Sequence, residues 1–219
     1  MKQQRNLKIE KFVFNDFEQN TYLVYSERSK EAIIIDPGNS NAFEDDEIER
    51  FIKEQNLKLT RIINTHGHID HIFGIPFLKE HFNPEFYFPS PDLPLLLNVR
   101  LQSEMIGIPA PKVIQPDFDL HQFETFQIDD FTIEIIKTPG HSPGGTSLFV
   151  KELKKVFTGD TIFFESIGRT DLWGGDENIL LESIKSKIFT LDEDVEILPG
   201  HGPSTTVGHE KKYNPFLKY

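Results

Sequence analysis

The 219-residue sequence has no cysteine, which removes disulfides, thiolate metal sites and cysteine nucleophiles together and fits a reducing compartment. It is also short of positive charge: 23 Lys and Arg stand against 35 Asp and Glu, a net charge of −12. That balance repels phosphate backbones and anionic lipid, and no basic patch offsets it, so neither nucleic acid nor a membrane surface is expected as a partner. No apolar run approaches membrane-spanning length, and the opening MKQQRNLKIEKF lacks the apolar stretch of a signal peptide. These absences point to the cytoplasm. Low-complexity linkers and short repeats are missing as well, so a single domain over residues 1–219 is expected.

What is present is enough for a sizeable core: 37% hydrophobic residues, 20 of the 219 being Phe. Residues 8–14 and 21–25 read as a hairpin around Asn15-Asp16, and Ala32–Ile35 as a strand stopped by Asp36-Pro37-Gly38. A helix is expected from about Phe43 to Gln55, with Glu44-Asp45-Asp46-Glu47 in its first turn, where carboxylates meet the positive helix end. Arg61–Asn64 reads as a strand, followed by a helical stretch to about His81. Phe86–Phe88 reads as a short strand and residues 92–106 as one helix. Phe123–Ile128 and Phe131–Lys137 form a β-pair, with strands near 146–150 and 155–159. A helix fits Asp176 to about Ile188, and a strand Val195–Leu198. Hairpins mixed with helices fit two similar halves, each a sheet covered by helices, better than one parallel sheet. Phe12, Phe14, Phe17, Phe82, Phe86 and Phe88 are expected in the core. Asp36 is accounted for as a turn residue.

Five of the eight histidines, His66, His68, His71, His141 and His201, follow expected strands and sit beside Gly or Pro, as does Asp160. Loops of this kind project side chains into one crevice at a sheet edge. His66 and His68 are two apart, so in extended chain they share a face and can grip one ion. Asp70 and His71 come just beyond, at the expected start of a helix, and point elsewhere. One loop thus serves two neighbouring ions, with distant His141, Asp160 and His201 completing the shells. A set of N and O donors without thiolate suits Zn, Fe or Mn and leaves room for water, the style of a catalytic centre. His81, His121 and His209 are read as ordinary turn or surface residues.

Thr65-His66-Gly67-His68-Ile69-Asp70-His71 resembles the HxHxDH signature of the metallo-beta-lactamase superfamily. The likeness continues through Pro139-Gly140-His141-Ser142-Pro143-Gly144-Gly145, Phe157-Thr158-Gly159-Asp160 and Leu198-Pro199-Gly200-His201-Gly202-Pro203, and spans residues 12–217. It implies an α/β fold, the αββα sandwich, with two divalent metal ions at one edge. By that resemblance His66, His68 and His141 hold the first ion, Asp70, His71 and His201 the second, and Asp160 bridges them. Zn is the expected metal, with Fe or Mn as alternatives. The commonest β-lactamases place a Cys in the second site, and none exists here. Ser166–Leu172, Gly174-Gly175-Asp176 and Asn214–Leu217 resemble the glyoxalase II-like hydroxyacylglutathione hydrolases in their short bacterial form. Full-length members carry a further helical domain, whereas 18 residues follow His201 in this chain. The resemblance implies cleavage of a small thioester such as S-lactoylglutathione by a metal-bridging hydroxide, with Asp70 orienting it or passing on its proton. It also places Arg169 near the thiol substrate, although an exposed surface arginine explains that residue equally well. The run Gly168-Arg169-Thr170-Asp171 is shared in style with persulfide dioxygenases, which use one iron at positions matching His66, His141 and Asp160. The thioester hydrolase is the preferred expectation, because all three second-site residues are present.

Overall fold

A computed structural model describes residues 7–217. The leader reading therefore falls, at residues 1–6, outside the described chain. The expected hairpin is formed by β1 (Leu7–Phe14) and β2 (Gln19–Ser26), paired across a turn in which Asn15 and Glu18 both take φ of 53°. β3 (Glu31–Ile35) adds antiparallel to β2. The chain then crosses through α1 (Ala42–Glu54) to β4 (Lys58–Ile63), parallel to β3. α2 (Ile75–Phe82) leads to β5 (Glu85–Phe88). α3 (Leu93–Leu97) and α4 (Val99–Ile106) lead to β6 (Phe118–Asp119), completing a six-stranded sheet in sequence order.

The second half repeats the scheme. β7 (Thr125–Ile128), β8 (Phe131–Lys137), β9 (Thr146–Val150) and β10 (Lys155–Gly159) form an antiparallel meander. A small hairpin of β11 (Ile162–Phe163) and β12 (Ser166–Ile167) follows, then α5 (Glu177–Ser186). β13 (Glu196–Pro199) pairs parallel to β10, with β14 (Thr205–Thr206) at the edge and α6 (Val207–Tyr213) after it.

Side-chain alternation along the strands builds the layers. On β3, Ala32 and Ile34 face the helix side with Ile48, Ile52 and Leu78, whereas Ile33 and Ile35 face Leu148 and Phe157 of the other sheet. A third cluster joins Val156 and Ile197 to Leu180, Ile184 and Val207 from α5 and α6. The result is helix, sheet, sheet, helix, as the resemblance implies. α1 begins where its acidic run indicates, with Asn41 accepting from the N–H groups of Phe43 and Glu44.

Several expectations need correction. The helix expected over 92–106 is broken at Asn98, whose side-chain amide donates to the Pro94 carbonyl at 2.8 Å while its backbone leaves helical values. The helix expected directly after His71 starts only at Ile75. Residues Ile69–His71 form a single 3-10 turn, and Pro76 is tolerated only in a first helical turn. Phe123 closes a turn at Leu120–Gln122, so that strand begins at Thr125. Phe17 is 42% exposed, because it sits at the tip of the hairpin turn and outside the strand alternation. Phe82 packs half-buried against the helix-side core, while Phe12, Phe14, Phe86 and Phe88 are buried as expected.

Candidate metal centre

Four strand ends meet at one edge of the sandwich. β4 runs into residues 64–71, β8 into the loop 138–145, β10 into Asp160 and β13 into His201. β10 and β13 end side by side, with the Gly200 N–H donating to the Gly159 carbonyl at 2.8 Å. Asn20 of β2 ties the two sheets together there. Its backbone N–H donates to Gly200 O at 2.7 Å and its side chain to Pro199 O and Gly202 O at 2.9 Å.

The seven expected residues converge on this edge. His66, His68 and His141 form one group with ligand-type atoms all within 4.8 Å of one another, and Asp70, His71 and His201 form another. Asp160 stands between them. Its Oδ1 lies 3.3 Å from His71 Nε2, and its Oδ2 lies 3.5 Å from His141 Nε2 and 3.6 Å from His201 Nε2. Within the groups, His68 Nδ1 is 2.8 Å from His141 Nε2, and His201 Nε2 is 3.1 Å from Asp70 Oδ2. His81, His121 and His209 lie apart, bonded to Phe77 O, Thr146 Oγ1 and Glu165 Oε1 respectively.

The outward ring nitrogens of His66, His71, His141 and His201 face oxygen partners, and a neutral ring so held turns its other nitrogen, as an acceptor, toward the cluster. His68 has no such partner, its Nδ1 facing His141 Nε2. His141 Nδ1 donates to Arg169 O at 2.7 Å, and His201 Nδ1 to Phe17 O at 2.9 Å. His71 Nδ1 faces Asp36 Oδ2 at 3.1 Å. His66 Nδ1 donates to the Thr65 hydroxyl at 3.0 Å, which in turn donates to Asp36 Oδ2 at 2.6 Å. Asp36 is thus more than the turn residue the sequence reading made it. Its buried carboxylate orients one histidine of each group, and its φ of 51° is part of the turn that aims it. Its place at the end of β3, one strand from the His66 loop, was the signal available in the sequence. Gln102 of α4 is a further support that the sequence reading missed, accepting from Ile69 N–H at 3.1 Å and donating to Gly67 O at 3.2 Å. Arg169 contributes its carbonyl to His141, but its guanidinium makes a paired contact with Asp171 at 2.8 Å on the exposed surface.

Burial sets the charges. It pushes His68 down to about 4, with His141 adding to the effect, and it lowers His66 strongly for the same reason. On His71 burial acts downward too, but the carboxylates of Asp70, Asp160 and Asp36 outweigh it and hold that ring well above its ordinary value. His201 is raised against burial by Asp70 and Asp160. Asp160 is in turn held well below the usual carboxylate range, since His71, His141 and His66 overcome its desolvation. His66 Nε2, His68 Nε2 and Asp160 Oδ1 are buried with no hydrogen-bond partner among the described residues. Orphaned buried nitrogen and oxygen atoms in a cysteine-free cluster are the donor set that a divalent cation satisfies, and the residues present fit such an ion.

Residues 15–209 match the sequence profile described as the metallo-beta-lactamase superfamily. The chain belongs to that superfamily. It is 38% identical over 203 residues to a hydroxyacylglutathione hydrolase, GloC, of Haemophilus influenzae, covering 92% of this chain and 93% of that protein. Among solved structures it is similar to the B3 metallo-beta-lactamase BLEG-1, with a TM-score of 0.89, 34% identity, and 97% of this chain and all of that one covered. TTHA1623, solved in a di-iron-bound form, has a TM-score of 0.81 and 31% identity, with 95% of this chain and all of that one covered. The superfamily chain is a metal-dependent hydrolase. No helix among its described residues is long and apolar enough to cross a membrane.

Proposed function

We propose that this chain cleaves a small thioester of the S-lactoylglutathione kind, with His66, His68 and His141 holding one divalent ion, Asp70, His71 and His201 a second, and Asp160 between them. The observation that carries the reading is the second cluster. Asp70, His71 and His201 bring ligand-type atoms within 4.8 Å of one another beside Asp160, and a lone iron at the first cluster would leave these polar groups serving only its periphery. Likeness to GloC supports the thioester. Zinc is the proposed metal, and the site's nitrogen and oxygen donors also accept iron or manganese. Cations held there supply Lewis acidity, which lowers the pKa of water toward neutrality and draws charge from a carbonyl oxygen.

The chain's own residues do the rest. Asp70 and His201 are only partly buried while His66 and His71 are fully enclosed, so substrate approaches from the Asp70–His201 side. Asp70 orients the attacking water or passes its proton on. The new carbon–oxygen bond expels the thiolate, which then takes a proton. No side-chain nucleophile is needed: the Thr65 hydroxyl is committed to Asp36, and the Ser142 hydroxyl to another buried carboxylate, Asp92. Arg169 meets a carboxylate of the thiol moiety by exchanging it for Asp171. The test supplies protein reconstituted with Zn²⁺ or Fe²⁺ with S-lactoylglutathione and, separately, with glutathione persulfide. Thiol release without oxygen uptake is expected. Oxygen consumption on persulfide, with no thioester cleavage under either metal, overturns the reading.

A further inference from the structure

Asp92 belongs to neither cluster, yet its carboxylate joins the two loops that supply the first. It ends the turn Ser90–Asp92 and precedes α3. An aspartate at that position ordinarily accepts from the free N–H groups of its own helix. Asp92 makes no such bond. It is fully buried and turned away from α3. Its Oδ2 accepts from the Gly67 N–H at 2.9 Å and from the Ser142 hydroxyl at 2.7 Å, and its Oδ1 accepts from the Gly144 N–H at 2.6 Å. These three donors are all neutral.

Gly67 lies between His66 and His68, and Ser142 and Gly144 follow His141. The first two histidines come from the first half of the fold and the third from the second. We propose that Asp92 is a positioning residue for this cluster: it clamps the His66–His68 loop against the His141 loop, so that three imidazoles converge before a cation arrives. The clamp also explains two glycines of the motifs. A Cβ on Gly67 would lie 3.1 Å from the Asp92 Cβ, and a Cβ on Gly144 would lie 2.7 Å from the Asp92 Cγ. A side chain on Gly144 would push the carboxylate off the amide it holds, and one on Gly67 would press on Leu95 and on the Asp92 Cβ and carbonyl, so that loop would have to give way. The second cluster is oriented differently, by Asp36 on His71 and the Phe17 carbonyl on His201. Loss of Asp92 therefore strikes one site of the two.

The inference rests on the two-ion reading above, and its test separates them. Metal-free wild type, Asp92→Asn and Ser142→Ala are titrated with Co²⁺, following visible absorption and competition with a chelator, alongside thermal unfolding of each metal-free protein. His201→Ala, which removes a residue of the second cluster, identifies which equivalent belongs there. Asp92→Asn keeps the shape of the side chain but turns an NH₂ group toward an N–H donor. Ser142→Ala deletes one bond and spares the backbone, and it decides the matter if the first variant does not fold. The expected result is a 10- to 100-fold weaker affinity for the equivalent that His201→Ala retains, about the loss seen for outer partners of metal ligands. The other equivalent should stay within twofold, and Ser142→Ala should shift the same equivalent less. Two tight equivalents in wild type with both unchanged in the variants overturn the role of Asp92 and leave the two-ion reading standing. Both equivalents weakened alike, in step with a lower Tm, also overturn it by making Asp92 a general stabiliser. A wild type with no tight equivalent overturns both.

Discussion

Asp160 is the residue on which most of the site's charge converges, since its two oxygens face His71 on one side and His141 and His201 on the other. A carboxylate between two cations offsets the repulsion of both. Asp160→Ala is expected to deplete bound metal, measured by plasma emission analysis, and to lower turnover by about two orders of magnitude or more while far-UV dichroism stays native. Full metal content and activity would remove Asp160 from the proposed set. The histidines make a separate prediction. An unfolded histidine titrates near 6.5, whereas His68 is pushed down to about 4 and His66 is strongly lowered. Between those values these two histidines bind protons in the unfolded chain that they refuse in the folded one, so their contribution is present above pH 6.5 and lost as pH falls, opposed in part by the raised His71 and His201. The urea midpoint of chelator-stripped protein should drop between pH 7 and pH 5, with His68 contributing about 2 kcal/mol. His68→Gln should flatten that drop. An unchanged slope in the variant would exclude His68 as its source.

Strand ends do most of the positioning at the scale of elements. β10 and β13 finish together, and only a hydrogen atom fits on Gly200: a Cβ there would lie 2.2 Å from Asp160 Oδ1 and 2.7 Å from His71 Cε1. Gly200→Ala should fold but displace Asp160, lowering metal content and activity together. Asn41→Ala makes the contrasting case. It deletes the cap of α1, far from the cluster in function, and should cost about 1 kcal/mol in thermal unfolding with metal content unchanged. The long elements were legible because their periodicity and caps lie in consecutive residues. The short ones were not. β6, β11, β12 and β14 have two residues each, too few for any period, and exist because a neighbouring strand pairs with them. The break at Asn98 is of the same kind, since one side-chain bond to Pro94 divides a run whose apolar pattern reads as continuous.

For the whole molecule, the first half supplies His66, His68, Asp70 and His71, and the second supplies His141, Asp160 and His201, so bound cations would cross-link the two sheets. At a thousandfold excess over its Kd, one bound ion stabilises by about 4 kcal/mol. For a chain of this size, 2–4 °C per kcal/mol is typical, so losing one ion should lower Tm by about 10 °C and chelating both should lower it further. A Tm indifferent to chelator would mean that no cation bridges the halves. The linear chain was enough for the strands, the helices and two sheet-and-helix halves, because periodicity and turn chemistry are written locally, and its motifs carried the resemblance that implied the superfamily, the αββα layers and the seven residues at one edge. How those residues are held came from packing. Asp36 reaches His71 from another strand, Asp92 clamps loops of both halves, and Arg169 offers its carbonyl to His141 while its guanidinium turns to Asp171. Such contacts join residues distant in the chain, and they depend on how two sheets pack, which no local pattern encodes.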